Sequence, residues 1–238
     1  MRSKLSAIIV ALVATLAFNT PTQARDLVVG IGGDIETFDI CCANFIQSHH
    51  LLYAVYEPPV IYPTIEVAGG ALVGDPAGVV GTVFESWQAS DDGLTYTIKI
   101  REGLTLQNGT PINAELVRYT IERNLNAAGG GTWLLHSIAF VTKPPEVVDE
   151  YTIRLVGDSP SPMIMSQFYM TSSAMIDPAI VQEHATDDDP WAKEWMGRNV
   201  AGGSGPYKIV SHIPDQEIVL EAWDGYLAGK APIDRMVW

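Results

Sequence analysis

The stretch FESWQASDDGLTYTIKIREGLTLQNGTPINAELVRYTIER, Phe84–Arg123, carries the clearest structural signals in the chain. Within it, apolar and polar residues alternate over Leu94–Arg101, which is the pattern of a strand with one face in the core. The turn signal Ser90–Gly93 precedes this strand, and an Asn-Gly pair follows it. Asn113 can cap a helix over Ala114–Leu125, because its side-chain oxygen can accept a hydrogen bond from the first turn. The stretch therefore predicts a strand, a loop and a capped helix.

Regular apolar spacing continues on both sides of this stretch. The three glycines Gly129–Gly131 are expected to end the helical segment. A mixture of strands and helices is predicted, which indicates a mixed α/β (α+β) fold. The predicted strands are Asp26–Ile31, the hairpin Glu146–Val156, Tyr207–Val210, Glu217–Glu221 and Met236–Trp238; the predicted helices are Asn44–Tyr56, Met163–Tyr169 and Pro178–His184.

The last predicted strand, Met236–Trp238, has no partner close to it in the sequence. Because a domain does not normally end within an unpaired strand, we expect the chain to be the front part of a longer protein.

The N-terminal residues have the three zones of a secretory signal peptide. Arg2 and Lys4 precede an apolar run over Leu5–Phe18, and Thr22 and Ala24 place small residues before a cut. The run has 14 residues, whereas a membrane-spanning helix needs about 20. We therefore expect a cleaved signal over residues 1–24 and a periplasmic protein, with an N-terminal membrane anchor as the alternative. No cysteine at the end of the run offers a lipid attachment point, which favours a free protein.

Composition restricts the function classes. Hydrophobic residues make up 47% of the chain, enough for a folded core. Without the predicted signal, the chain carries 12 basic and 28 acidic residues, a net charge of −16. Such a charge repels phosphate backbones and anionic membrane surfaces, so no nucleic-acid partner is expected. No Gly-x-Ser-x-Gly, His-Glu-x-x-His or phosphate-loop motif occurs, so we expect no catalytic residues and no cofactor.

Three stretches together resemble one known family. They are DLVVGIGGDIETFD (Asp26–Asp39), the opening stretch Phe84–Arg123, and DPWAKEWMGRNVAGGSGPYKIV (Asp189–Val210). Each is similar to a segment of the peptide- and nickel-type (family 5) extracytoplasmic solute-binding proteins of ABC importers, and the three occur in the family's order. The resemblance implies a periplasmic-binding-protein-like fold of type II, cluster C, whose lobe carries an extra subdomain. It covers only the front half of such a fold, so the second lobe is expected to be missing.

The resemblance also implies how the chain is divided. Residues 25–59 correspond to the first part of lobe one, residues 60–173 to the extra subdomain, and residues 174–238 to the return to lobe one, ending near the hinge. The segment Ser204–Tyr207 and Trp87 are expected to serve the scaffold, because glycine and proline there fix a bend.

The implied function is capture of short peptides or similar organic solutes by lobe closure, followed by delivery to an inner-membrane ABC permease; a monomer is expected. The loop after the first strand is the leading ligand-binding candidate, because its glycines permit close approach and its carboxylates can meet an ammonium group. The alternative is that Asp34 and Glu36 are solvated or cap the next helix. Gln167–Ser173 is a weaker candidate. The candidate residues of the loop are Gly32, Gly33, Asp34, Glu36, Thr37 and Phe38.

Two other functions stay open at this point. Cys41, Cys42, His49 and His50 suggest a metal site, and the family includes nickel-binding proteins. However, adjacent side chains point in different directions, whereas structural zinc ligands are usually two to four residues apart, so we expect no metal site and two buried cysteines. A nickel- or chelate-binding protein of the same fold and a secreted hydrolase remain the alternatives.

Overall fold

The computed structural model describes residues 26–75 and 77–238; the predicted signal peptide lies outside these residues. The helices are α1 (Ile46–Val55), α2 (Ala114–Asn126), α3 (Gly130–Ser137), α4 (Ile164–Gln167), α5 (Pro178–His184) and α6 (Lys193–Met196). The strands are β1 (Asp26–Val28), β2 (Val60–Ile61), β3 (Thr64–Glu66), β4 (Leu72–Gly74), β5 (Val80–Gly81), β6 (Phe84–Ala89), β7 (Thr95–Ile100), β8 (Glu146–Asp149), β9 (Thr152–Val156), β10 (Tyr207–Ile213), β11 (Glu217–Ala222) and β12 (Arg235–Val237).

One four-stranded sheet is built from the two ends of the described chain, in the order β1-β12-β11-β10. Leu27 on β1 lies opposite Met236 on β12 in parallel register, and Val219 on β11 lies opposite Val237 in antiparallel register. The expectation that the last strand has no partner is therefore wrong. Its parallel partner comes from the start of the sequence, and a pairing over that separation leaves no local pattern.

The second four-stranded sheet has the order β6-β7-β9-β8 and is antiparallel throughout. It contains the strand and the hairpin predicted from the alternating pattern. Ile98 and Ile100 of β7 are fully buried, while Thr97 and Lys99, which alternate with them, are exposed. The helix that follows is also confirmed, since Asn113 accepts a hydrogen bond from the backbone N–H of Leu116 at 3.0 Å.

The buried apolar side chains form two clusters. The first gathers residues of the β6–β9 sheet, α2 and α4, such as Phe84, Ile121 and Phe168. The second gathers residues of α1 and the β1–β12–β11–β10 sheet, such as Leu51 and Leu220. Helix α2 serves both, because Ile121 lies in the first cluster while Tyr119 packs against the second. The boundaries after residues 59 and 173 stay a prediction.

The three glycines Gly129–Gly131 start a helix instead of only ending one, so that expectation needs correction. Helix α2 ends at Asn126, and Gly129 is the N-cap of α3. Glycine is required there by close packing, because a Cβ on Gly129 would lie 2.3 Å from the carbonyl oxygen of Cys41. The three glycines are visible in the sequence, but the segment that packs against them is not.

Several element ends also differ from the sequence-based boundaries. Strand β1 stops at Val28, α1 covers ten residues from Ile46, and α4 is a single turn followed by a 3-10 turn at Thr171–Ser173. Within residues 26–75 and 77–238, every helix is too short or too polar to cross a membrane.

Candidate functional site

The candidate loop leaves β1 and runs along the edge of an open groove, here called the Asp34 groove. This groove has a volume of about 330 Å³. Gly32 and Gly33 are exposed, and among the described residues no hydrogen bond is made to the backbone of Gly30, Gly32 or Gly33. The backbone at this edge therefore offers free donors and acceptors. The groove is lined by, among others, Gly30, Gly33, Asp34, Asp215, Glu217 and Trp238.

Asp34 is held by two backbone donors. Its carboxylate accepts hydrogen bonds from the backbone N–H of Ile35 at 2.8 Å and of Asp215 at 3.0 Å. Burial opposes its ionisation, but these donors and the nearby His212 outweigh it and hold the pKa of Asp34 below its usual value. Asp34 therefore presents a fixed negative charge on the groove at neutral pH.

Glu36 lies at the start of α1 and not on the groove wall. Its Oε2 accepts hydrogen bonds from the backbone N–H of Asn44 at 3.0 Å and of Phe45, the N-cap of α1, at 3.4 Å. Donors at a helix start favour a negative charge. This is the helix-capping arrangement that the sequence left open for Glu36.

Thr37 and Phe38 are buried beneath the loop. The Thr37 hydroxyl accepts a hydrogen bond from the backbone N–H of Asp39 at 3.0 Å, and Phe38 packs edge-on against the His212 ring with centroids 5.0 Å apart. The structure thus brings Gly33 and Asp34 to an open surface and uses Thr37 and Phe38 to shape the loop. Whether any of the six residues contacts a ligand stays a prediction.

His212 on β10 is a neighbour that the sequence did not reveal. Its Nε2 lies 3.7 Å from Asp34 Oδ1, and that nitrogen is buried without a hydrogen-bond partner among the described residues. His212 also lines a separate groove together with Trp195 and Arg198. It lies within strand β10, and no sequence pattern distinguishes it from an ordinary strand residue.

A further groove, here called the Trp133 groove, has a volume of about 260 Å³. Trp133 on α3 is 59% exposed, although large aromatic side chains are usually mostly buried. His49 Nδ1 and the hydroxyl of Thr171 lie 3.0 Å apart. The weaker candidate segment Gln167–Ser173 contributes Met170 and Ser172 to the wall.

One group of metal-type donors occurs within the described residues, namely Asp39, Cys41 and Cys42. Both Asp39 oxygens already accept hydrogen bonds from the Arg123 guanidinium, at 2.9 and 2.8 Å. The two sulfur atoms lie 2.8 Å apart, whereas thiolates on one tetrahedral zinc ion, with Zn–S bonds of about 2.3 Å, lie about 3.8 Å apart. This arrangement does not fit a metal centre.

Comparison with known proteins identifies the chain. Residues 78–238, well over half of the sequence, match the model of the "Bacterial extracellular solute-binding proteins, family 5 Middle". The chain belongs to the family 5 solute-binding proteins of bacteria. The resemblance carried by the three quoted stretches is therefore confirmed.

Sequence relatives and solved structures of this family 5 chain are consistent with its fold. It is 28% identical over 88% of its length to the probable D,D-dipeptide-binding periplasmic protein DdpA of Escherichia coli, and 25% identical over 97% to the glutathione-binding protein GsiB of Shigella dysenteriae. The periplasmic binding protein DppA of Helicobacter pylori, solved with the peptide STSA, superimposes with a TM-score of 0.71 at 20% identity over 90% of the chain. The expected periplasmic-binding-protein-like α/β fold is confirmed.

The family 5 chain spans only about 40% of the length of these proteins: 38% of DdpA, 40% of GsiB and 42% of the DppA chain. The structural match is therefore to one part of a larger binding-protein fold.

Proposed function

We propose that the chain is part of a solute-binding protein that captures short peptides, or similar organic solutes, for an ABC importer. The observation that carries this proposal is the backbone of Gly30, Gly32 and Gly33, which makes no hydrogen bond among the described residues, beside the fixed carboxylate of Asp34. A peptide needs main-chain partners along its length and an anion for its ammonium end. Both are present along one edge of the Asp34 groove.

Three of the relatives make peptides a candidate solute, although structures of the same fold also hold agropinic acid and Fe(III)-EDTA. DdpA is named for a D,D-dipeptide and GsiB for glutathione, and the DppA structure contains the bound peptide STSA. In this chain the exposed Trp133 adds an apolar surface on which a peptide side chain can pack. Ligand contacts by Gly32, Gly33, Asp34 and Trp133 belong to this proposal.

Capture is proposed to take place in the periplasm after cleavage behind Ala24, with an inner-membrane permease as the receiving partner and a monomer as the binding species. The relatives are periplasmic binding proteins by name, which supports the compartment. Mass spectrometry of the exported protein tests the cleavage, since a mature N-terminus at a position other than about Arg25 contradicts it.

The two alternative functions find less support. The donor group at Asp39, Cys41 and Cys42 lacks metal-site geometry, which weakens the nickel alternative. A hydrolase is disfavoured because the matched family consists of transport components. Release of amino acids from the peptides used for binding would contradict the proposal of a purely non-enzymatic function.

Titration calorimetry of the protein encoded by the complete reading frame tests the peptide proposal. Dipeptides to pentapeptides are titrated into the wild type, the Asp34→Asn variant and the control Asp91→Asn, which alters the exposed turn between β6 and β7. We expect binding by at least one peptide and a loss of about tenfold in affinity for Asp34→Asn, equivalent to about 1.4 kcal/mol. N-terminal acetylation of the peptide should weaken binding by a similar factor. Absence of heat with every peptide length would contradict the proposal.

A further inference from the structure

The chain contains two cysteines, Cys41 and Cys42, and their side chains converge. Side chains of adjacent residues usually diverge, but here a tight turn closes with a hydrogen bond from the backbone N–H of Cys42 to the carbonyl oxygen of Asp39 at 3.1 Å. The turn brings the two Sγ atoms to 2.8 Å. Cys41 is buried at 2% exposure, whereas Cys42 is partly exposed.

The surroundings hold this pair in place. The backbone N–H of Cys41 donates to Asp39 Oδ1 at 3.1 Å, and its carbonyl oxygen accepts a hydrogen bond from the N–H of Gly131 at 3.1 Å. The carbonyl oxygen of Cys42 accepts from the side-chain amide of Asn44 at 2.9 Å. Gly129 closes over the sulfur atoms, because a Cβ there would lie 2.9 Å from each of them. The close sulfur contact is therefore part of a packed arrangement.

The two thiols differ in reactivity. The hydrogen bond between the two sulfur atoms lowers the pKa of Cys42, while that same bond and burial raise the pKa of Cys41. The partly exposed Cys42 is thus the more accessible and more acidic thiol, and the Cys41 sulfur, 2.8 Å away, lies within reach to complete an exchange.

We propose that Cys41 and Cys42 form a thiol–disulfide exchange site, which closes to a vicinal disulfide on reaction with a small-molecule disulfide. The Cys42 thiolate attacks one sulfur of the disulfide RSSR, forms a Cys42–SR bond and releases one thiolate. The Cys41 thiol then loses its proton to solvent and attacks Cys42 Sγ, which breaks the Cys42–SR bond and releases the second thiolate. Both cysteines are oxidised by two electrons in total, and RSSR is reduced to two thiols.

Closure of this ring has a structural consequence. The eight-membered ring requires the sulfur atoms to move closer than 2.8 Å. The same segment contacts Gly129 and Gly131 at the start of α3, which carries Trp133. Oxidation is therefore expected to alter one wall of the Trp133 groove. The exchange chemistry itself does not depend on the proposed peptide-binding function.

The test uses the purified chain, reduced and freed of reductant, then incubated at pH 8 with bis(2-hydroxyethyl) disulfide. Because the chain has two cysteines, intact mass and iodoacetamide labelling report the site directly. We expect a monomer that has lost the mass of two hydrogen atoms, resists labelling, and recovers both thiols on reduction. Two thiols that remain free for labelling, a stable mercaptoethanol adduct, or a disulfide-linked dimer would each overturn the proposal.

Two single variants assign the roles. Cys41→Ser should stop at a stable mixed disulfide on the cysteine at position 42. Cys42→Ser should react about tenfold more slowly than the wild type, since the remaining thiol is buried and has a raised pKa. Equal initial rates for Cys42→Ser and the wild type would contradict the assignment of Cys42 as the attacking group. Circular dichroism of each variant confirms that it is folded.

Discussion

Asp34 and Asp39 lie in the same loop, yet their carboxylates have opposite surroundings. Asp39 is 1% exposed and forms a two-pronged ion pair with Arg123, whose Nε also donates to the carbonyl oxygen of Trp191 at 3.0 Å. Asp34 is partly exposed, and the imidazole Nε2 of His212 lies 3.7 Å from its Oδ1. One end of the loop is fixed to α2, and the other end is presented to an open groove.

This difference divides the loop into a part that anchors it to the fold and a part that is accessible to a ligand. The Asp39–Arg123 pair joins the loop to the helix that serves both apolar clusters, so it fixes the position of the whole segment. Asp34 is then oriented by backbone N–H groups and can keep its charge available. Substitutions at the buried end should change stability, and substitutions at the exposed end should change binding.

Arg123→Ala is expected to produce the largest effect. It leaves the Asp39 carboxylate buried without its cation, which costs about 3 to 5 kcal/mol in such pairs. Urea denaturation followed by circular dichroism measures the loss in the free energy of unfolding. The matched control is Arg118→Ala on the same helix, which breaks partly exposed ion pairs with Glu115 and Glu122 and should cost less than about 1 kcal/mol. Equal losses for the two variants would contradict the distinction drawn here.

Glu57 extends the comparison, because it is a buried carboxylate that forms no ion pair with any described residue. It is 5% exposed and accepts one hydrogen bond from the Tyr226 hydroxyl at 2.8 Å. Burial raises its pKa to about 7, a rise that the Tyr226 bond only partly opposes. Because the folded chain binds this proton more tightly than the unfolded chain, the stabilising contribution is complete below about pH 4.5 and is lost as the pH rises through about 7.

Glu57→Gln should therefore be stabilising at high pH, by about 1 to 3 kcal/mol at pH 8 and by little at pH 4. The glutamine oxygen can still accept the Tyr226 hydrogen bond. Unfolding free energies measured from pH 4 to pH 8 test this, with the exposed Glu66→Gln as control. If the unfolding free energies of the wild type and Glu57→Gln change in parallel with pH over this range, the pKa of Glu57 is not raised.

The region predicted best from the sequence is the β6–β9 sheet with α2. Its turn, alternating strand and Asn113 cap each depend on contacts within a few residues, so local patterns contain the necessary information. The β1–β12 pairing was missed for the opposite reason, since Asp26 and Arg235 meet from the two ends of the described chain. Local signals cannot report such a contact.

The candidate site was predictable only in part. The glycines and Asp34 could be found because a strand followed by glycines and acids is a recognisable pattern. The neighbours that decide the properties of Asp34, the backbone of Asp215 and the ring of His212, come from a hairpin far along the chain. The same applies to Gly129, whose role depends on the distant Cys41. The sequence shows which side chains are present in the loop. Which distant residues contact them is known only from the structure.

Asp34→Asn is expected to change stability by less than about 1 kcal/mol, because its contacts are partly exposed. The lowered pKa gives the sign of this small effect. The ionised carboxylate stabilises the fold above the unfolded pKa of about 4, and this contribution is lost as the pH falls through the lower folded value. Urea titrations at pH 7 and pH 3 should therefore show a small deficit for the variant at pH 7 and a smaller one at pH 3. A loss comparable to that of Arg123→Ala would place Asp34 among the supporting residues.

Trp133→Ala is expected to have the smallest effect on stability, within about 0.5 kcal/mol, since the side chain is 59% exposed. Its effect on binding should be larger, because a peptide side chain would no longer pack on the indole. The binding free energy should weaken by about 1 kcal/mol, which lowers the affinity about fivefold. Phe45→Ala is the matched control, as Phe45 is 62% exposed and does not line the Trp133 groove. Calorimetry with a peptide that binds the complete protein compares the two variants. A weakening by Trp133→Ala alone extends the recognition surface from the Asp34 groove to the second groove, whereas equal binding by both variants confines recognition to the Asp34 side of the loop.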